Sequence, residues 1–344
     1  MLIKHSMPTL GSAESRMLQG VLASGYLAQG PKVAAFEKAF SKFLNTNGAV
    51  ATNSGAGALH LILLAMGIKS GDEVIIPSYV CTAVLNAVNY TGAKAVLADI
   101  GGDYNLCPNS ARQRINKRTR AIILPHIFGR PADIDRFLKL GVPVIEDCAQ
   151  SIGAIYKGRP VGTFGRAAIF SFYVTKMMTT GYGGMAVSDD KRLVDKIRDL
   201  REFDNRDDYK QRYNYQMSDL GAGLGMVQLK RLPGFIRRRQ AIARKYQRAF
   251  GFPGALRDGG VFFRYPVSVD DVARAAEFLA RKGIESKRPV YKPLHRYFGF
   301  TAKGFPMTEK LFKSTLSIPI YPELGDKQVD DVIKNTLEIL KGGR

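Results

Sequence analysis

Apolar and polar positions follow two periods along this chain. Short apolar runs fall at Gly48–Ala51, Glu73–Pro77, Lys94–Asp99, Ala121–Pro125, Pro143–Glu146, Ala167–Phe172 and Gly184–Ser188. Stretches with helical spacing separate them, as at Leu59, Ile62, Leu63 and Met66. Strand-length runs alternating with helical patterns predict an α/β fold, a mostly parallel seven-stranded sheet covered by helices on both faces.

The flanks continue the pattern. Residues 8–23 and 32–44 are spaced as helices, the second through Val33, Phe36, Phe40 and Phe43. Lys191–Glu202 and Ser218–Leu232 read as helices on either side of an exposed polar loop, Phe203–Arg212. A basic helix, Gly234–Phe250, then leads into a strand (Val261–Val267), a helix (Val269–Lys282) and a last helix (Lys327–Leu340). The division predicted is a large domain over residues 1–233 and a small C-terminal α+β domain over 234–344.

Composition narrows the class. The 344 residues are 45% hydrophobic and 10% aromatic, which suits a globular protein with a large core. No apolar run reaches the length of a membrane span, and the N-terminus lacks an apolar signal core. Cys81, Cys107 and Cys148 are widely spaced and lack a C-x-x-C pattern. They predict neither a disulfide framework nor a zinc site and fit a reducing cytoplasm. The histidines His5, His60, His126 and His295 show no metal spacing.

A net charge of +21 raises nucleic acid as a partner. The basic residues are dispersed, however. Their densest run, Lys230–Arg248, carries no zinc-finger, ribonucleoprotein or basic-zipper pattern. A solvated helix face explains it better, and a positive surface would also attract an anionic small substrate.

The candidate chemistry lies in three stretches. Ile169–Gly184 takes an apolar strand through a turn bearing Lys176 into a glycine-rich loop. On this stretch alone Lys176 is either a solvated loop lysine or a buried one whose lowered pKa makes it a nucleophile. Val142–Gln150 is an apolar run ending at Asp147, where an open α/β sheet presents residues to its ligand crevice. Ala51–His60 is a glycine-rich turn from strand to helix, a ready phosphate site. A reactive lysine with a strand-end aspartate suggests pyridoxal 5'-phosphate, the lysine as Schiff base and the aspartate holding the pyridinium nitrogen protonated.

The segments S-F-Y-V-T-K-M-M-T-T-G-Y-G-G, E-D-C-A-Q-S-I-G-A and R-Y-N-Y-Q-M-S-D-L resemble the DegT/DnrJ family of nucleotide-sugar aminotransferases, which are fold-type I pyridoxal-phosphate enzymes. The likeness runs from S-G-Y-L-A-Q-G-P at Ser24 to L-S-I-P-I-Y-P ending at Pro322.

That resemblance implies roles residue by residue. Lys176 would form the Schiff base and carry the proton at Cα. Asp147 would pair with the ring nitrogen, and Gln150 would lie near the ring hydroxyl. Ser171 would bind the phosphate with the turn Ser54-Gly55-Ala56-Gly57, the family's backbone donors matching Ala56 and Gly57. Ala56 stands where a threonine is usual, so one hydroxyl contact is missing. Asn214 would reach the cofactor phosphate of a neighbouring subunit, implying a homodimer with shared sites. Gln216 replaces a usual arginine, with Arg212 a conceivable substitute for holding a carboxylate. The ring's stacking partner is either Cys81 or Tyr79. His126 either lines the crevice or is a satisfied structural histidine, and His295 lies in a stretch like the family's substrate-facing loop.

The implied reaction transfers an amino group, from L-glutamate, to a keto-sugar nucleotide. Three rivals stand beside it. A nicotinamide enzyme would need a third glycine where His60 stands. The family's dehydratase branch replaces the lysine by histidine, against Lys176. A non-catalytic regulator would account for the departures at Ala56, Cys81 and Gln216.

Overall fold

The computed structural model describes residues 2–250 and 259–341, which leaves 251–258 and 342–344 of the expected C-terminal domain outside the described residues. Strands form where the apolar runs predicted them: β1 (Gly48–Thr52), β2 (Glu73–Pro77), β3 (Lys94–Ala98), β4 (Thr119–Pro125) and β5 (Val144–Asp147). A two-strand hairpin of β6 (Ile155–Tyr156) and β7 (Arg159–Pro160) interrupts before β8 (Ala167–Ser171) and β9 (Gly184–Ser188).

The main sheet has seven strands in the order β1-β9-β8-β5-β4-β2-β3. Only β9 runs against its neighbours β1 and β8. The other pairings, β2–β3, β2–β4, β4–β5 and β5–β8, are parallel. Six strands therefore end at one edge. Thr52, Pro77, Pro125, Asp147 and Ser171 all finish there, and Gly184 begins β9 between Thr52 and Ser171. Residues at this edge have left the ladder, so their polar groups are free to meet a ligand.

Aliphatic side chains such as Val50, Ile62, Val74 and Ile123 pack the sheet against the helices on one face. Phe36, Phe40, Phe170 and Phe172 fill the other, with ring centroids 5.0 Å apart for Phe40 and Phe170. The spacing Val33, Phe36, Phe40 seen in sequence is the buried stripe of the helix Pro31–Leu44.

The C-terminal unit differs from expectation. The two helices expected over 218–232 and 234–250 are one helix, Asp219–Phe250, running through Pro233. The boundary after 233 thus falls within a single element. Proline usually stops or kinks a helix because it lacks an N–H and crowds the preceding turn. Here Leu232 and Phe235, on either side, are anchored in the aromatic core. The strand expected from 261 is the shorter β10 (Tyr265–Ser268), paired with β11 (Thr315–Ile318), which alternation did not reveal. The helices Val272–Arg281 and Asp326–Lys341 cover that pair. Ile3 bridges to Ile284, so the first residues of the chain belong to this C-terminal layer. No helix among the described residues is long and apolar enough to cross a membrane.

Candidate active site

Three backbones meet at the strand edge. Ser54 caps the helix Gly55–Ala65, its Oγ accepting from Gly57 N at 3.0 Å. A Cβ on Gly55 would lie 2.9 Å from Ser171 Cβ. A Cβ on Gly184 would lie 2.4 Å from the carbonyl carbon of Ser54 and 2.6 Å from Gly55 N. Only glycine lets the three segments close into a concave cradle. The Gly57 N–H, expected to face a phosphate, is taken by the Ser54 cap. The N–H groups of Gly55 and Ala56 keep the helix N-terminus open to an anion, beside the Ser171 hydroxyl.

Asp147 ends β5 and is buried, its Oδ1 accepting from Ala149 N at 3.0 Å. Burial pushes its carboxyl up, against the backbone bond and the Lys176 charge, which draw it down. Lys176 sits on a turn closed by its own N–H to Tyr173 O at 2.8 Å. Its Nζ lies 5.1 Å from the centroid of the Phe263 ring. Burial lowers the pKa of this amine, Cys81 and Asp147 oppose the shift, and Arg264 reinforces it. Residues 29 apart in sequence are thus brought close enough for an acid and a depressed amine to feel each other's charge, a pairing found at catalytic sites.

Sequence reasoning left Cys81 and Tyr79 open as stacking partners. Tyr79 is 1% exposed and packs into the core against Tyr104 and Phe128, at centroid distances of 6.1 and 6.4 Å. Cys81 is exposed at the N-cap of the helix Thr82–Asn89, close enough to Lys176 for their charges to interact. Gln150 Oε1 accepts from Phe128 N at 2.8 Å and pins the loop after β4, where Phe128 has φ 59°.

Both candidate histidines are fully engaged. His126 Nε2 donates to Glu146 Oε2 at 2.9 Å, and its Nδ1 accepts from Ala132 N at 2.9 Å. His126 is wholly buried, so it braces the crevice and offers no ring nitrogen to a substrate. His295 Nε2 meets Glu309 Oε1 at 2.9 Å and its Nδ1 meets Ser78 Oγ at 2.7 Å. It clamps the C-terminal segment to the loop after β2 instead of facing a substrate.

Arg212 and Gln216 are also committed. Arg212 donates to Asp199 and Asp208, with its side chain 5% exposed in a loop expected to be open. Gln216 Nε2 donates to Glu202 Oε2 at 3.0 Å, a carboxylate that also holds Gln29 and Arg201. An incoming carboxylate would meet repulsion there. Asn214 is exposed; its carbonyl accepts from Asn53 Nδ2 at 3.3 Å, and Tyr215 O accepts from Asn53 N at 2.8 Å, which hangs this segment over the cradle.

Sequence reading missed Glu146, Phe263 and Arg264. Glu146 had a signal: adjacent strand residues point to opposite faces, so the E-D pair predicts one carboxylate toward the crevice and one behind it. Phe263 and Arg264 had none, since only folding of the C-terminal unit brings them to Lys176.

These residues fit pyridoxal phosphate. A glycine cradle at a helix N-terminus suits the phosphate, Asp147 has one described hydrogen bond, at Oδ1, and the depressed amine of Lys176 is near enough to feel its charge. Residues 8–337 match the DegT/DnrJ/EryC1/StrS aminotransferase family. The chain belongs to this family. It is a pyridoxal-phosphate-dependent sugar aminotransferase.

Its relatives match over nearly their whole length. The spore coat polysaccharide biosynthesis protein SpsC of Bacillus subtilis is 36% identical, over 99% of this chain and 97% of that protein. GDP-perosamine synthase of Escherichia coli O157:H7 is 33% identical, over 94% of each. Among solved structures, the PLP form of Spr1654 from Streptococcus pneumoniae superposes with a TM-score of 0.94 at 26% identity, covering 100% of both chains. DesV from S. venezuelae gives 0.89 at 32% identity, over 94% of this chain and 93% of its own.

Proposed function

We propose that the aminotransferase moves an amino group from L-glutamate to the keto carbon of a nucleotide-linked sugar in the cytoplasm, as a homodimer with shared sites. The observation that carries this reading is the Lys176 amine, depressed by burial and facing Asp147 at the strand edge. When bound, pyridoxal phosphate supplies an electron sink for the Cα–H bond. Asp147 holds a proton on the ring nitrogen. The N–H groups of Gly55 and Ala56 and the Ser171 hydroxyl anchor the phosphate and fix the position of the reacting carbon. Lys176 would take the donor's Cα proton as base and give it back as acid, a role that its lowered pKa favours.

The nucleotide-linked acceptor is supported by the +21 charge and by the name of the GDP-perosamine synthase relative. The homodimer is supported by Asn214, whose side chain is exposed beside the cradle of its own chain. The test is the visible absorbance of purified protein, with and without L-glutamate, beside Lys176→Ala. A yellow band that bleaches with glutamate and is altered in the variant is expected. A yellow protein indifferent to glutamate overturns the donor, and a protein that stays colourless with added cofactor overturns the reading.

A further inference from the structure

Lys176 and Arg264 lie against the same ring. The guanidinium carbon of Arg264 is 4.5 Å from the Phe263 centroid, and Lys176 Nζ is 5.1 Å from it. Arg264 has one described side-chain hydrogen bond, from Nη1 to His5 Nδ1 at 3.0 Å. Because Nδ1 accepts, the proton of His5 is on Nε2, which donates to Ser317 Oγ at 2.9 Å. Burial pushes His5 down to about 2, so it is neutral at any working pH. Burial also pushes the guanidinium of Arg264 down to about 10.

The mount is therefore a neutral imidazole under a partly buried cation. No carboxylate among the described residues forms an ion pair with Arg264. Lys176, the other group on that ring, is an amine and supplies no counter-charge either. A buried charge without a counter-ion is costly, and a bound anion offsets that cost. The other positions considered for an anion fail, Arg212 through Asp199 and Asp208 and Gln216 through Glu202. Arg239, at 2% exposure, is shut away from a ligand, with its Nη1 donating to the carbonyls of Phe262, Phe263 and Ile320 and its Nε without a described partner.

Two substrate anions are available: the carboxylate of the amino donor and the diphosphate of the sugar nucleotide. Lys176 works on the donor Cα, and the carboxylate is one bond from that atom. The diphosphate lies beyond a sugar ring from the reacting carbon. Proximity to Lys176 selects the carboxylate. We propose that Arg264, mounted on His5 and Ser317, binds the α-carboxylate of the amino donor and replaces the arginine absent at Gln216. The inference rests on the aminotransferase reading above.

The test uses cofactor-loaded enzyme and its Arg264→Gln, Arg264→Lys and His5→Phe variants. Calorimetric titration with maleate, an unreactive dicarboxylate, reads carboxylate binding; titration with GDP and UDP reads the nucleotide side. Glutamate bleaching of the absorbance band reads the donor half-reaction. Arg264→Gln is expected to weaken maleate and raise the glutamate concentration for half-bleaching, each at least about tenfold. Nucleotide binding and the resting band should be unchanged. Arg264→Lys should recover part of the loss, and His5→Phe should show a smaller loss of the same kind, which marks His5 as a positioning residue. Unchanged maleate and glutamate behaviour in Arg264→Gln overturns the proposal, as does a loss confined to GDP or UDP. If Arg264→Gln fails to fold, the same readings on His5→Phe decide. A wild-type protein that never shows the band instead sinks the aminotransferase reading, which keeps the two failures distinct.

Discussion

Glu146 accepts a hydrogen bond from His126 at 2.9 Å with both side chains wholly shielded from solvent, directly behind the residue that faces the cofactor crevice. The same carboxylate accepts from the N–H groups of Gly162, Phe164 and Gly165. It closes the loop between β7 and β8 onto the back of β5. Removing its charge leaves those donors weakly matched, so Glu146→Gln should cost about 3 kcal/mol. A urea midpoint equal to wild type would refute this.

The pH dependence follows from the same group. Burial raises the Glu146 carboxyl, but the His126 bond and the backbone N–H groups outweigh it and hold it below the ordinary value. The unfolded chain therefore takes up this proton at a higher pH than the folded one. The contribution is complete above the ordinary carboxylate value of about 4.3 and is lost as pH falls through the folded value. Urea midpoints from pH 7 to pH 3 should converge for wild type and Glu146→Gln at the acid end. A gap that stays constant over that range would rule the linkage out.

Gly184→Ala tests the cradle. Its Cβ would meet backbone, not a yielding side chain, so Ser54 and Gly55 must shift. A loss of about 1–3 kcal/mol in stability is expected, with cofactor affinity reduced at least tenfold. Gly181, with φ +80° and open space around it, is the control. Gly181→Ala should cost about 1–2 kcal/mol through its left-handed backbone alone and leave cofactor binding intact. Equal cofactor affinity in both variants would defeat the argument.

Lys176 should be the most reactive lysine near neutral pH, since burial keeps its amine unprotonated below the range of surface lysines. Trapping with pyridoxal and borohydride at pH 7, followed by peptide mapping, should place the label on Lys176 first. Arg264→Gln removes a cation that depresses this amine and should move the pH profile of labelling upward. Label spread evenly over the lysines would contradict this.

Asp147→Asn separates function from stability. Burial disfavours the ionised carboxylate and raises its pKa. The amide should leave folding stability equal or higher while lowering turnover by about two orders of magnitude. A variant that loses stability together with activity would assign Asp147 a structural role instead.

The sequence by itself determined the sheet and the local chemistry. Each strand run and each flanking glycine or acid is a short-range pattern, so Lys176, Asp147 and the Ser54–Gly57 turn stood out as candidates in their own segments, while Ser171 followed from the family resemblance. The reading also fixed the large and small units approximately, because periodicity marks elements but not where a helix such as Asp219–Phe250 overrides its proline. Tertiary structure alone decided everything that depends on which way a side chain turns. It buried Tyr79 and left Cys81 exposed, since two residues' difference beyond β2 selects core or opening. It took His126 and His295 out of the candidate list by filling both of their nitrogens. It tied Arg212 and Gln216 to carboxylates that lie nearby only in the folded chain. It brought His5, Phe263 and Arg264, from the two ends of the chain, to one ring beside Lys176. The contacts around Lys176 carry no local signature, because Phe263 lies 87 residues from Lys176 and His5 lies 259 from Arg264, and only the packing of the C-terminal layer on the strand edge creates them.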